Sequence, residues 1–337
     1  MQDNYSLNQD NSFTGSNFID VDNDHGGNLE AAIASANSGD VIQLGSNTYY
    51  TDGIFIDKNI TLDGQEGSVI NGNGTSGTIM TLSSGASGAT VKDLEITNGN
   101  NGLYGNNATN LTIENIDVHN IGLNQTDRQG KNDTAIALQG ADGAKILNSS
   151  IRDIGRKGVG FGDTNNAEVN GLTVQNINLA GEHVQSHDAA GVKLYNTHNV
   201  AVKNSYFSDI NAFNIWNDTA SSTVIEGNVL KNVGEDFLAP SFNTNVNIAG
   251  IYDEKSSNTT VNQNSGNAVD RFLVFDATEF SSQSINFGEN DFSAYEMGTQ
   301  DYWVNEEAEK LIAVTENAND ANFSSVSDAY YGQANIG

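Results

Sequence analysis

The chain has 337 residues, with 14 Lys and Arg against 43 Asp and Glu, for a formal net charge of −29. So acidic a chain offers no basic stripe to a phosphate backbone, which argues against nucleic acid as a partner. It contains no Cys, which excludes disulfides, thiolate catalysis and Cys-ligated zinc.

Residues 1–25 read as a polar leader. Met1 to Asp10 is polar and carries no signal peptide, and no apolar run approaches membrane-spanning length, so no membrane insertion is expected. Next, Leu29, Ala32, Ile33 and Ala36 recur at helical spacing, with Asn28 as N-cap and Gly39 as stop. Such a helix would cover the open end of a sheet stack, where bare strand edges invite aggregation. Val41–Leu44 follows as a strand.

From there one phrase repeats: apolar, polar, Asn or Asp, then another apolar residue two or three positions on. It appears as Val91-Lys92-Asp93-Leu94, Ile113-Glu114-Asn115-Ile116, Ile146-Leu147-Asn148 through Ile151, and Val169-Asn170-Gly171-Leu172. It returns at Val202-Lys203-Asn204 and Ile225-Glu226-Gly227, and more weakly at Val261-Asn262-Gln263. Units of this length, each a few short strands, cannot bury an apolar face alone and must stack. The expected fold is all-β: a single-stranded right-handed parallel β-helix with an N-terminal capping helix. The 35 Gly and the many Asn fit the left-handed corners that such coils need, and the single Pro, Pro240, falls in a loop.

The anchors Val91, Ile113, Ile146, Val169, Val202, Ile225, Val261 and Ile285 are spaced 22, 33, 23, 33, 23, 36 and 24 residues apart. The extra residues fall after one strand, as segments 122–133, 179–189 and 235–249, and would form a ridge along one corner. A further strand precedes each anchor: Ile136–Gln139, Val159–Gly162, Val192–Tyr195 and Phe213–Trp216. Alternation points Ala137, Gly160, Lys193 and Asn214 outward, with Gln139, Gly162, Tyr195 and Trp216 beside them. A glycine floor flanked by Lys193, Tyr195 and Trp216 suits a polymer lying in a groove. Beyond residue 290 the repeat fades into an irregular cap, 291–337, with a short helix expected over 305–312.

Six of the 14 basic residues lie between 128 and 157: Arg128, Lys131, Lys145, Arg152, Arg156 and Lys157. Against this background the cluster points to an anionic ligand, because guanidinium groups grip carboxylates bidentately; salt bridges to Asp127, Asp133, Asp142 and Asp153 would be the plainer use. His183 and His187 share a loop with Glu182 and Asp188 and are candidate acid/base groups. Lys193 and Lys131 are further candidate bases, Tyr195 a candidate acid, and Tyr195 and Trp216 candidate sugar-stacking rings. Asp163, Asp188 and Asp236 are candidate Ca²⁺ ligands. Asp188, Asp218 or Asp236 would instead supply the paired carboxylates of a glycosidase.

Asn28 to Gly72, with Ser38-Gly39-Asp40-Val41-Ile42, Tyr49-Tyr50 and Ile60-Thr61-Leu62-Asp63-Gly64, resembles the entry coil of the pectate lyase superfamily, and the later coils are similar to its repeats. Ile151-Arg152-Asp153-Ile154 and Val159-Gly160-Phe161-Gly162-Asp163 loosely resemble a segment of mannuronan C5-epimerases. The Arg-x-Pro-x-x-Arg segment of pectate lyases and the Gly-His-Gly segment of polygalacturonases are absent. The resemblance implies one β-helix domain over 26–290 and a secreted enzyme, a monomer or a module of a larger chain. It would act on an acidic polysaccharide by β-elimination or C5-epimerisation, with Ca²⁺ as the associated ion. Lyases of this fold use a Lys and an Arg together, a role open to Lys131 with Arg152 or to Lys193 with Arg156. A β-helix glycosidase and a non-catalytic glycan-binding module are the alternatives.

Overall fold

A computed structural model of the chain describes residues 17–123, 133–178, 189–233, 250–269, 273–276, 285–287, 290 and 312–314. Strands of successive coils pair in parallel, and each coil contributes to three sheets. The first sheet carries the repeated phrase, as Thr90–Lys92, Thr112–Glu114, Lys145–Leu147, Glu168–Asn170, Ala201–Lys203 and Val224–Glu226. The second holds Asp117–Ile121, Ser150–Ile154, Thr173–Ile177 and Tyr206–Ile210. The third holds Thr134–Gln139, Lys157–Gly162, Ala190–Tyr195, Phe213–Asp218 and Ile251–Glu254.

The repeated phrase now has a physical reading. Its middle residue turns the chain from the first sheet into the second with a left-handed backbone. Asp93, Asn115, Asn148, Gly171, Asn204, Gly227 and Gln263 all have φ between 48° and 72°. Asn and Asp reach that region at modest cost and Gly at none. The apolar residue before it points inward: Ile113, Ile146, Val169, Val202, Ile225 and Val261 form a fully buried column, each contributing about 1.5–3 kcal/mol by leaving water. Farther along, the core column beside the same corner turns polar. Asn228 Nδ2 donates to Asn264 Oδ1 at 2.9 Å, and Asn264 Nδ2 to Asn290 Oδ1 at 3.0 Å. This ladder keeps buried amides satisfied from rung to rung.

The helix Leu29–Ser35 forms as the spacing predicts, and Asn28 Oδ1 caps it by accepting from the Ala31 N–H at 2.8 Å. The sheet stack begins earlier than expected. Phe18–Asp20, inside the segment read as a leader, pairs with Val41–Gln43, and Val21–His25 is a short helix capped by Asp20. The last anchor is also displaced: Val261 pairs with Phe287 rather than Ile285. Of the C-terminal helix expected over 305–312, residues 305–311 lie outside the described residues, and Ile312–Val314 is a strand paired with Leu273–Phe275.

The segments 124–132, 179–188 and 234–249 lie outside the described residues. Their flanking ends all sit where the second sheet passes into the third. On the alternate coils that corner is short, and Gly155-Arg156 and Asn211-Ala212 make it.

Candidate functional site

Register stacks the outer face of the third sheet into two columns. One runs Tyr104, Ala137, Gly160, Lys193, Trp216, Tyr252, and the other Asn106, Gln139, Gly162, Tyr195, Asp218, Glu254. A groove of about 490 Å³ lies over them. Its floor is Ala137, Gly160 and Gly162, and Arg156, Lys157, Lys193, Tyr195 and Asp218 line it. Arg156 and Lys157 enter from the short corner, and Lys157 leans over the floor: a Cβ on Gly160 would lie 3.0 Å from its Cδ.

The alignment of the Trp216 strand differs from the sequence reading. Lys193 pairs with Trp216 rather than Asn214, and Tyr195 with Asp218 rather than Trp216. The apolar alternation of Phe213 and Ile215 misleads, because the inward positions are Ile215 and Asn217. Asn217 tolerates the core because its amide bonds Asp253 and Thr259 and its carbonyl accepts from Thr223. Phe213 lies apart from the main core in a small aromatic cluster, stacked on Tyr252 at 4.6 Å and edge-on to Trp216 at 5.0 Å.

Lys193 is the centre of the site. Its Nζ lies 2.9 Å from Asp218 Oδ2, with the two side chains 5% and 12% exposed. The same ammonium sits 3.4 Å from the centroid of the Trp216 ring and 5.9 Å from that of Tyr195. Trp216 is 6% exposed, so its ring supports Lys193 rather than lying open in the groove, whereas Tyr195 is 52% exposed. Trp216 Nε1–H donates to Glu254 Oε2 at 3.0 Å. Burial raises the Glu254 carboxyl above its usual range, the nearby Asp218 charge adds to that, and the Trp216 bond opposes it. Lys193, Asp218 and Glu254 thus give one cation, one ion-paired carboxylate and one carboxyl biased toward its neutral form on three successive rungs.

The sequence candidates divide. Lys193, Tyr195, Arg156 and Lys157 share the groove, with Trp216 beneath it. Arg152 does not: it lies in the second sheet, paired with Asp117 Oδ2 at 2.8 Å and Asp153 Oδ2 at 3.3 Å. Asp163 accepts amide hydrogen bonds from Gln139 and Asn196, one on each carboxylate oxygen. It lies outside the residues that line the groove. Arg128, Lys131, His183, His187, Asp188 and Asp236 lie outside the described residues.

Glu254 escaped the sequence reading, yet a signal for it was present. Adding the coil lengths 23 and 36 to Tyr195 gives Asp218 and then Glu254, and adding them to Lys193 gives Trp216 and then Tyr252.

No curated protein matches the chain by sequence. Among solved structures, a pectate lyase, Pel9A, superposes with a TM-score of 0.57 at 15% identity, over 80% of this chain and 73% of that one. An alginate lyase from Paenibacillus sp. str. FPU-7 gives 0.52 at 14%, over 80% and 95%. The enzymatically active domain of bacteriophage CBA120 tailspike protein 2 gives 0.53 at 12%, over 85% of this chain but 48% of that one, so the chain spans about half its length. At such identities the likeness is one of fold. A family model described as a right handed beta helix region matches residues 79–292, the stretch that holds the repeating coils and the groove, and the chain belongs to that family.

Proposed function

We propose that the chain is an extracellular enzyme acting on a uronate-containing polysaccharide, and that it works by removing the proton at C5 of a uronate. The observation that carries this reading is the gathering of Arg156, Lys157 and Lys193 on one groove of a protein with 14 basic residues in 337. A uronate polymer laid along the floor presents carboxylates to Arg156 and Lys157. Their charge stabilises the anion formed when C5 loses its proton, a stabilisation worth most where water is excluded. Lys193 Nζ, in its amine form, takes that proton. In β-elimination the C5–H electrons form the C4–C5 double bond, the C4–O4 bond breaks, and Tyr195 O–H protonates the departing O4. In epimerisation Tyr195 returns a proton to the opposite face of C5, and the chain stays intact.

A second reading rests on Glu254. A carboxyl biased toward its neutral form, one rung from the ionised Asp218, is the acid and base pair of a glycoside hydrolase. One experiment separates the two. Purified protein is incubated with polygalacturonate, alginate and glycosaminoglycans, with Lys193→Ala and Glu254→Gln alongside. New ultraviolet absorbance, or altered sugar NMR signals without shortening, supports C5 chemistry if Lys193→Ala abolishes it. Reducing ends without absorbance, lost in Glu254→Gln, favour hydrolysis. No change to any polymer would remove both and leave glycan binding alone.

A further inference from the structure

On the second sheet, away from the groove, three side chains converge that no sequence motif marks. Glu95 and Asp117 are direct partners on neighbouring rungs, and His119 follows two residues on, beside Thr97. One ligand atom from each of Glu95, Asp117 and His119 lies within 4.8 Å of the other two. We propose that this trio is a binding site for a first-row transition-metal dication, of which Zn²⁺ is the reference case, joining two rungs of the β-helix.

Four observations point to it. Glu95 and Asp117 stand directly opposite on one sheet face, and the Arg152 that pairs with Asp117 is shared with Asp153, so carboxylate charge is left for a cation to offset. Arg152 Nη2 takes only Asp117 Oδ2, at 2.8 Å; Asp117 Oδ1 is buried from water and makes no hydrogen bond. A buried, unbonded carboxylate oxygen is costly and calls for a partner. His119 Nε2 is 2.8 Å from Glu95 Oε1, so a metal ion would take the place of the proton now lying between them. The other ring nitrogen, Nδ1, has Thr97 Oγ1 at 3.3 Å and the Asn120 side-chain amide at 2.9 Å. Asn120 presents its Nδ2 donor to Nδ1, which matches a proton on Nε2 facing Glu95. For the ring to turn its Nε2 lone pair to an ion, Nδ1–H must donate to Thr97 Oγ1 and the Asn120 amide must turn its oxygen to the ring, the second-shell arrangement usual for a ligating histidine. One imidazole nitrogen with two carboxylate oxygens suits zinc or manganese, whereas Ca²⁺ asks for six to eight oxygens.

The test is binding measured on the full chain. Isothermal titration with Zn²⁺, Mn²⁺ and Ca²⁺ should give one saturable Zn²⁺ site, weaker Mn²⁺ and no matching Ca²⁺ site. His119→Ala and Glu95→Gln should each weaken Zn²⁺ binding on the order of 100-fold, since loss of even an outer-shell partner costs 10–100-fold. Zn²⁺ should raise the melting temperature of the wild type and of neither variant. Imidazole NMR should show the His119 ring signals moving as the ion is added, a readout that does not depend on how well the variants fold. Zinc binding of equal strength in wild type and both variants, or a saturated sample with unmoved His119 signals, would show ions held loosely by other carboxylates and overturn the proposal. So would the absence of any saturable site, which would leave a hydrogen-bonded Glu95–His119 and Asp117–Arg152 cluster.

Discussion

Lys193 Nζ lies 3.4 Å from the centroid of the Trp216 ring, and the two residues are direct partners on neighbouring rungs. The ring face is therefore covered by a cation and not free for a sugar. The ring also fixes where Lys193 Nζ sits beside Asp218, and a misplacement of about 1 Å can cost on the order of 100-fold in rate. Trp216→Leu should therefore lower kcat about tenfold or more, and leave KM nearly unchanged. A raised KM with normal kcat would return Trp216 to the role of a stacking platform.

The Lys193–Asp218 pair should be visible in stability as well as in rate. With side chains 5% and 12% exposed, neither charge is well solvated if its partner is removed. Lys193→Met and Asp218→Asn should each destabilise the fold by about 3–5 kcal/mol, the usual result of orphaning a buried charge. The double variant should lose much less than the sum, because no unpaired charge remains. Urea unfolding of the four proteins measures the coupling, and strict additivity would mean that water or another group already screens the pair.

The groove floor tests where the polymer lies. A Cβ on Gly160 would crowd only the Lys157 side chain, whose Cδ would lie 3.0 Å away and which is flexible enough to give way. Gly160→Leu should fold with a melting temperature close to wild type and raise KM at least tenfold by filling the groove. Unchanged KM on whichever polymer is turned over would move the binding path off this face.

Much of this was legible in the sequence, and the misses have identifiable causes. The repeat gave the coils and the capped helix, because an inward apolar residue followed by Asn, Asp or Gly encodes both the core column and the left-handed corner. Coil length also carried Lys193 and Tyr195 correctly onto the Gly160–Gly162 floor. It failed at the next rung because alternation assumes an apolar interior, and Asn217 and Asp253 are both inward and buried. Arg152 stands next in sequence to groove residues but one sheet away in space, because the corner at Gly155 separates them. Glu95 and Asp117 stand one 22-residue coil apart, as Val91 and Ile113 do, and His119 follows two residues on, but no local motif marks the trio and strand register is what brings it together.

That inward Asp253 has a pH consequence. It is fully buried, and burial lifts its pKa from the usual 3.8 to about 7, opposed by bonds from Asn217 and Thr259. The folded chain thus keeps a proton that the unfolded chain releases near pH 3.8. The neutral acid's contribution is fully present below that value and is lost as pH rises toward about 7. Roughly three pH units at 1.36 kcal/mol each make the loss about 4 kcal/mol. Asp253→Asn has the shape of the neutral acid and cannot ionise. Its unfolding free energy should lack this slope, and its advantage over wild type should grow between about pH 5 and about pH 8. Urea midpoints for both proteins across that range decide the matter: parallel curves would mean that Asp253 ionises in the fold as readily as in the open chain.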